Sequence, residues 1–235
     1  MEVKLLAHTP DPMKLIAAAA RSCYSDKPAS QLLDESMPKA HGSVYEHAVF
    51  TFSIEGISRV CSHQLVRHRI AAVSQQSMRY VKTDKLWSDD FRDFGESMVL
   101  PDSVQDLLSE EYEESETVDQ MHLRNVIGQY VQGLDTLIKT LQDAGVKSED
   151  IRYFLPNGVK TNVVVTMNYR ELLHVCGIRR CTRAQAEIRE VFDRVAELVK
   201  EACPDLYENS PLVPQCKQLG YCPEHKSCGL INKID

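Results

Sequence analysis

Between Arg67 and Tyr80 the chain concentrates side chains that bind anions. The run Arg67-His68-Arg69-Ile70-Ala71-Ala72-Val73-Ser74-Gln75-Gln76-Ser77-Met78-Arg79-Tyr80 holds three arginines, one histidine, two serines, two glutamines and a tyrosine, with no Asp or Glu among them. Guanidinium groups make forked, bidentate hydrogen bonds to phosphate and keep their charge in a pocket. Ser and Gln add neutral donors that fix orientation, and Tyr adds a ring and a hydroxyl. The chemistry these residues suggest is the holding of a phosphorylated, nucleotide-like ligand. The same residues also fit arginines that pair with distant Asp or Glu across an interface, and residue type alone does not choose between the two.

A second group of reactive side chains lies near the end of the chain. Cys216, Cys222, His225 and Cys228 offer three thiols and one imidazole, a common zinc set. The first gap, five residues, is longer than a usual zinc knuckle, and Lys217, Lys226 and Lys233 make the segment basic. The reading taken is therefore reduced surface thiols on a terminal arm and no bound metal, with a zinc site and a disulfide within the tail as the alternatives. Eight cysteines behind an N-terminus that does not read as a signal peptide are expected to be mostly thiols.

Composition narrows the functions these groups could serve. The 235 residues suit one large domain or two small ones intimately packed, with enough chain to bury a core. A net charge of −7 argues against a general nucleic-acid binder. Acidic residues crowd between Asp102 and Asp119, whereas Arg and His gather at 59–80 and 179–183, the pattern of an acidic protein that holds small anions in pockets. No apolar run is long enough to cross a bilayer, so neither membrane nor nucleic acid is an expected partner and a cytoplasmic location is expected. No GxGxxG or GxxxxGK[ST] run occurs, so a dinucleotide would not be held on a Rossmann or Walker loop.

The elements that must position these groups are mixed. Asp11-Pro12 predicts a helix start, with Asp11 as N-cap, leading into an Ala-rich helix to about Ser22. A short helix is predicted over Gln31–Met37. Alternation of Phe50, Phe52 and Ile54 with polar residues predicts a half-buried strand from His47 to Glu55, broken at Gly56. Helical spacing of Ile57, Val60, Cys61 and Leu65 places Arg67-His68-Arg69 at or just past a helix end. Met121, Val126, Ile127, Tyr130, Val131, Leu134, Leu137, Ile138 and Leu141 mark a long amphipathic helix stopping before Gly145. Ser148 opens a short helix that ends by the Pro156-Asn157-Gly158 turn. A strand is predicted over Asn162–Asn168, a helix of about two turns over Arg170–Ile178, and a last helix opened by a capping box from Thr182 to Gln185. Ser77 and Arg79, two apart, would project together from an extended strand. The class is α+β, with a mixed or antiparallel sheet flanked by long helices.

The spacing Arg-His-Arg, seven residues, Ser resembles the signature of the flavin-dependent thymidylate synthases, intact here from Arg67 to Ser77 and extended by Arg79-Tyr80. Upstream, His41-Gly42-Ser43-Val44-Tyr45-Glu46-His47-Ala48-Val49-Phe50 is similar to that family's His-x-Ser/Thr-x-x-Glu-His-x-x-Phe segment. Downstream, Arg152 before Leu155-Pro156, Asn168 after the valine strand, and Arg179 six residues before Gln185 fall in matching order. The resemblance covers roughly residues 10–205, implying a catalytic domain over 1–205 with the thymidylate synthase-complementing fold and a Cys-rich tail over 206–235.

The resemblance implies reductive methylation of dUMP to dTMP, with 5,10-methylenetetrahydrofolate as carbon donor and FADH2, regenerated by NADPH, as reductant. It further implies a homotetramer with active sites between subunits. Carried over by motif, FAD contacts fall on His41, Ser43, Arg67, His68, Arg69, Gln75, Asn168, Tyr169, Arg170 and His174; the last is often Asn in relatives. The dUMP contacts fall on Gln64, Leu65, Val66, Arg67, Gln75, Gln76, Ser77, Met78, Arg79, Arg152 and Arg179. Arg179 resembles the residue that polarises the pyrimidine and promotes ionisation at N3, as an oxyanion hole stabilises developing charge. Ser77 is assigned to dUMP binding, with a nucleophilic role as the other reading. Arg59, His63, Arg180 and Arg183 are expected to be surface or interface charges, and Tyr80 to pack. The competing functions are another nucleotide-phosphate-binding flavoenzyme of the same fold and a non-enzymatic nucleic-acid or zinc-binding module.

Overall fold

In a computed structural model, residues 1–23, 25–28, 42–81, 97–108 and 118–232 are described. The helix expected over Gln31–Met37, His41 and most of the acidic stretch after Asp102 lie outside these residues. The chain divides into two compact units: the first comprises Met1–Glu55, Gln64–Ser74 and Val163–Asp235, and the second Gly56–His63 and Gln75–Asn162.

In chain order the elements are β1 (Glu2–His8), α1 (Pro12–Ser22), a 3-10 helix (Gly42–His47), β2 (Val49–Ser58), α2 (Arg59–Leu65), β3 (Ala71–Gln75), α3 (Asp102–Leu108), α4 (Val118–Asp143), α5 (Ser148–Ile151), a 3-10 turn (Arg152–Phe154), β4 (Lys160–Asn168), α6 (Tyr169–Arg179), α7 (Ala186–Ala202), α8 (Pro204–Asn209) and α9 (Gln215–Leu219). The strands form one sheet in the order β1-β2-β4-β3, an α+β architecture. β1 pairs antiparallel with β2, Val3 opposite Ile54 and Leu5 opposite Phe52, with an irregularity between Leu5 and Ala7.

Period-two burial sets the sheet's inner face in the first unit. Phe50, Phe52 and Ile54 from β2 and Val163, Val165 and Met167 from β4 are all buried. Ile188, Val191, Phe192, Val195 and Val199 form the apolar stripe of α7, which packs against β1. α6 packs on the Gly42–His47 turn, on α7 and on α9.

The second unit has its own small core. Val131, Leu134 and Ile138, at spacings of three and four along α4, meet Met98 and Ile151. The predicted stripe is only half buried: Met121, Val126, Tyr130 and Leu137 are exposed.

Several local expectations are corrected. Gly56 does not break its strand. It takes a positive φ of 71° that suits Gly, and its N–H donates to Asn162 Oδ1 at 2.9 Å, so β2 runs on to Ser58. Asp11 precedes α1 but makes no side-chain cap; its φ is 44°, and its carbonyl accepts from Lys14 and Leu15 instead. α7 is capped by Gln185, whose Oε1 accepts from Ile188 N, so Thr182 lies in the preceding turn and no capping box forms. α6 has 11 residues, three turns rather than two. β1 has no counterpart among the predicted elements.

Candidate active site

The basic run begins where α2 stops. Leu65 ends the helix, and His68 N donates to Leu65 O at 3.2 Å, turning the chain so that His68 faces inward while Arg67 and Arg69 face out. His68 is only 8% exposed, and its ring lies edge-on to Phe192 and His174. Arg179, the last residue of α6, donates from Nε to His68 Nε2 at 3.0 Å. Its other nitrogens donate to Gln64 Oε1 at 3.4 Å and to Gln64 O at 3.3 Å. Gln64 in turn donates to Gln185 Oε1 at 3.4 Å.

These contacts fix the state of His68. An Nε2 that accepts from a guanidinium carries no proton, so the proton of the neutral ring sits on Nδ1. Nδ1 lies 3.9 Å from Glu171 Oε1, and both groups are buried. Burial, then Arg179 and then His174 push the His68 pKa down to about 4. Burial raises the Glu171 carboxyl, with His174 opposing it. His68, Glu171 and His174 bring ligand-type atoms within 4.8 Å of one another. A guanidinium on His68 Nε2 disfavours a cation there, so the cluster suits a hydrogen-bonding relay better than a metal.

The rest of the first unit's expected flavin set is laid out along α6 and the turn it packs on. Asn168 caps the helix, its Oδ1 accepting from Glu171 N at 2.8 Å. Arg170 is exposed and ion-paired with Glu46 of the Gly42–His47 turn, which carries exposed Ser43. His174 is exposed one turn beyond Arg170. Tyr169 is fully buried and its hydroxyl donates to Ser210 O at 2.6 Å, so this side chain is a core strut. Leu65 is likewise buried, whereas Val66 is exposed. Among the described residues, neither Arg67 nor Arg69 has a hydrogen-bond or ion-pair partner, and both are exposed.

The second unit assembles the other half of the basic set. Gln75 ends β3 with its amide donating to Ser62 Oγ at 2.8 Å and Thr161 Oγ1 at 3.3 Å. Gln76 N donates to Asn162 O at 2.9 Å. The chain then leaves the sheet, so the expected extended projection of Ser77 and Arg79 is corrected: Met78, Arg79 and Tyr80 form a turn in which Ser77 Oγ accepts from Arg79 N at 3.2 Å. Among the described residues, no carboxylate or imidazole bonds the Ser77 hydroxyl. Glu149 gathers two arginines, one 70 residues before it and one three residues after it. Its carboxylate takes Arg79 at 3.1–3.2 Å and its carbonyl accepts from Arg152 Nε at 2.9 Å.

Arg59 joins this group unexpectedly: burial and the positive charge of Arg152 both lower its pKa. A half-buried arginine with a like charge near it marks a place that wants an anion. The sequence reading of Arg59 is a surface or interface charge, and its helical phase, away from the Cys61–Leu65 face of α2, gives no sign of this burial. Of the other charges set aside, Arg180 is half-buried on Asp193 and Leu212 O, Arg183 pairs with Glu224, and His63 is exposed. Tyr80 is 82% exposed beneath Arg79 and so does not pack in a core.

In the tail, Leu206 and Leu212 are fully buried in the first unit. Cys216, Cys222 and Cys228 line one cavity together with Cys181 from the α6–α7 turn. His225, the fourth member of the alternative zinc set, is exposed and outside that lining.

An α+β sheet protein with two arginine-rich clusters, one built around a neutral buried histidine, is the class that fold and geometry define. A sequence model of the thymidylate synthase complementing proteins matches residues 4–205. A flavin-dependent thymidylate synthase from Geobacter sulfurreducens is 42% identical over 247 residues, covering 100% of this chain and 96% of that protein. One from Pyrococcus horikoshii is 39% identical over 241 residues, covering 96% and 91%. The crystal structure of the Helicobacter pylori flavin-dependent thymidylate synthase complexed with FAD and dUMP shares the fold, with a TM-score of 0.65 at 22% identity over 89% of this chain and 99% of that one. The chain belongs to the flavin-dependent thymidylate synthase family. No helix among the described residues is long and apolar enough to cross a membrane.

Proposed function

We propose that this chain is a flavin-dependent thymidylate synthase that converts dUMP to dTMP, with FAD as cofactor, 5,10-methylenetetrahydrofolate as carbon donor and NADPH as the source of reducing equivalents. The observation that carries this reading is the Arg179–His68 hydrogen bond at 3.0 Å, which joins two separate motif segments around a neutral imidazole. Membership of the family supplies the reaction.

The residues present fit a flavin dinucleotide. Arg67 and Arg69 are exposed cations without a partner among the described residues, suited to a pyrophosphate. Ser43, the Asn168 amide, Arg170 and His174 would add donors from α6 and the turn beside it, with His41 and Gln75 completing the set. His68, fixed in one tautomer, would present its edge without adding charge. When bound, the flavin supplies the reducing equivalents that turn the transferred methylene into a methyl group.

The chain's own groups bind and polarise dUMP. Arg79, Arg152 and the Ser77 hydroxyl would take the phosphate, with Arg59 adding to the field. Phosphate carries more charge than the Glu149 carboxylate and competes with it for Arg79. Gln64, Leu65, Val66, Arg67, Gln75, Gln76 and Met78 would line the nucleotide through side chains or backbone. Arg179 would hold its charge against the pyrimidine and favour loss of the N3 proton, stabilising the anion that forms. Ser77 accepts a backbone N–H and has no base beside it among the described residues, which supports binding over nucleophilic attack.

A homotetramer with active sites between subunits in the cytoplasm is part of the same reading. Leu123, Val126, Tyr130 and Leu137 support it, since they form an exposed apolar stripe of helical period on α4. The test is a tritium-release assay with dUMP labelled at C5, with NADPH and methylenetetrahydrofolate present. Release coupled to dTMP, by a yellow protein, is expected; a colourless protein that never takes up FAD would overturn the reading.

A further inference from the structure

Residues 220–232 contain no helix or strand, and residues 223–230 are all exposed, so no apolar core holds them. They are nevertheless tied into a closed loop. Cys222 N donates to Asn232 O at 3.0 Å, and Gly229 N donates to Ser227 Oγ at 3.1 Å. Arg183 clamps the loop from outside, donating to Glu224 Oε2 at 2.7 Å and Lys226 O at 3.1 Å. A short segment with so little burial needs another source of order, and a metal-thiolate centre is one that cysteines can supply.

The four cysteines around one cavity supply the ligands. Cys181 comes from the turn after α6, Cys216 from α9, and Cys222 and Cys228 from the two ends of the loop. The cavity holds about 40 Å3, and its wall includes Gly177, Ile178 and Pro214 beside the four thiols. Cys222 is buried, Cys181 and Cys216 are partly covered, and Cys228 is exposed at the rim. Soft thiolates in a set of four select zinc-class cations.

We infer that Cys181, Cys216, Cys222 and Cys228 form a four-thiolate structural site for a zinc-class divalent cation, pinning the C-terminal loop to the end of α6. Binding releases the four thiol protons to solvent and leaves a centre with two net negative charges. Arg183 and Lys226, both on the clamp, offset them. The four thiols stand further apart than a closed site requires: only His68, Glu171 and His174, among the described residues, have three such ligand atoms within 4.8 Å of one another. Closure draws in Cys228, the exposed member of the set at the rim. The cavity lining includes neither Arg179 nor His68, although Cys181 follows Arg179 by two residues.

The experiment uses the full chain without a metal-affinity tag, purified under reducing conditions. Metal analysis is expected to show about one zinc per chain, and cobalt titration of the stripped protein a tetrahedral spectrum with thiolate-to-cobalt charge transfer. Cys181→Ser, C216S, C222S and C228S should each weaken zinc binding roughly a hundred-fold or more, because each thiolate carries a large share of a structural site's affinity. His225→Ala should bind as the parent does. Where a Cys variant fails to fold, the charge-transfer intensity of the unaltered chain counts its thiolates, and four are expected. Reduced protein that binds neither Zn2+ nor Co2+ would overturn the inference, as would loss of binding in H225A with retention in C181S.

Discussion

Arg179 and His68, 111 residues apart in sequence, meet through a single Nε–Nε2 hydrogen bond of 3.0 Å, and that bond dictates which nitrogen of His68 can hold a proton. Glu171 lies on the opposite side of the ring at 3.9 Å. The imidazole is thus a fixed neutral spacer between a cation and a carboxyl group, and its behaviour toward acid follows.

The free chain should lose stability on mild acidification. His68 takes up a proton near 6.5 when unfolded and only near about 4 when folded. Between those values the unfolded state binds more protons, so unfolding free energy falls as pH falls. For a ring this well buried the loss is roughly 3 kcal/mol at most. Glu171 acts the other way, since its raised carboxyl takes a proton in the folded state first. Urea midpoints measured from pH 7 to pH 4.5 should therefore fall less steeply in the parent than in Glu171→Gln. His68→Gln should flatten the slope, and a slope unchanged by that substitution would contradict the assignment.

Replacing Arg179 should separate its two effects. Arg179→Lys keeps the charge but cannot reach His68 and both oxygens of Gln64 at once. Loss of that aligned donor should lower dTMP formation by roughly 10^2–10^3-fold, the range for removing one preorganised donor, with FAD content retained. Arg179→Gln removes the positive charge beside His68, so the His68 pKa should rise in an NMR titration. An unmoved titration would mean that burial alone sets it.

The order of motifs along the chain was legible, but much of the geometry was not. Residue types between Arg67 and Tyr80 announced an anion site because nothing acidic lay among them, yet Arg79 is paired through Glu149, 70 residues away. Long-range partners leave no local signature. Gly56 and Thr182 misled for a related reason, since each was read by its usual local role while Asn162 and Gln185 decided the outcome. β1 escaped notice because its alternation of exposed and half-buried residues stops after Leu5, where Leu6, Ala7 and His8 are all exposed. Cys181 is isolated in sequence, and only the packing of α9 on α6 brings it to the tail's cysteines.

Glu149 should act as a competitor for the nucleotide phosphate. Its ion pair with Arg79 is solvent-exposed and worth about 0.2–1 kcal/mol. Glu149→Gln should then tighten dUMP binding by no more than a few-fold in calorimetry. Arg79→Ala should weaken it by roughly ten-fold or more, the cost of a charge-assisted hydrogen bond. Weaker binding in E149Q would instead mean that the carboxylate positions Arg79 for the phosphate.

Ser77→Ala tests the chemistry of the hydroxyl. Its oxygen accepts Arg79 N at 3.2 Å, so the variant should loosen the 77–80 turn and raise the dUMP Kd modestly while dTMP still forms. Intact dUMP binding with no detectable turnover would restore the nucleophile.

Two truncations should differ sharply in stability. Leu206 and Leu212 are fully buried, and the Tyr169 hydroxyl and Arg180 bond to the carbonyls of Ser210 and Leu212. A chain ending at residue 205 loses both leucines, each worth roughly 2–5 kcal/mol by analogy with Leu→Ala in a core, and leaves a buried tyrosine hydroxyl without its acceptor. It should aggregate or unfold well below the parent's Tm. A chain ending at residue 220 keeps these contacts and sheds the loop in which Cys222 is buried and residues 223–230 are exposed. Its melting temperature in the metal-free state should stay within a few degrees of the parent's, and added zinc should raise the parent's Tm but not the truncated chain's. Equal tolerance of both truncations would show that residues 206–220 contribute nothing to the core, contrary to their burial.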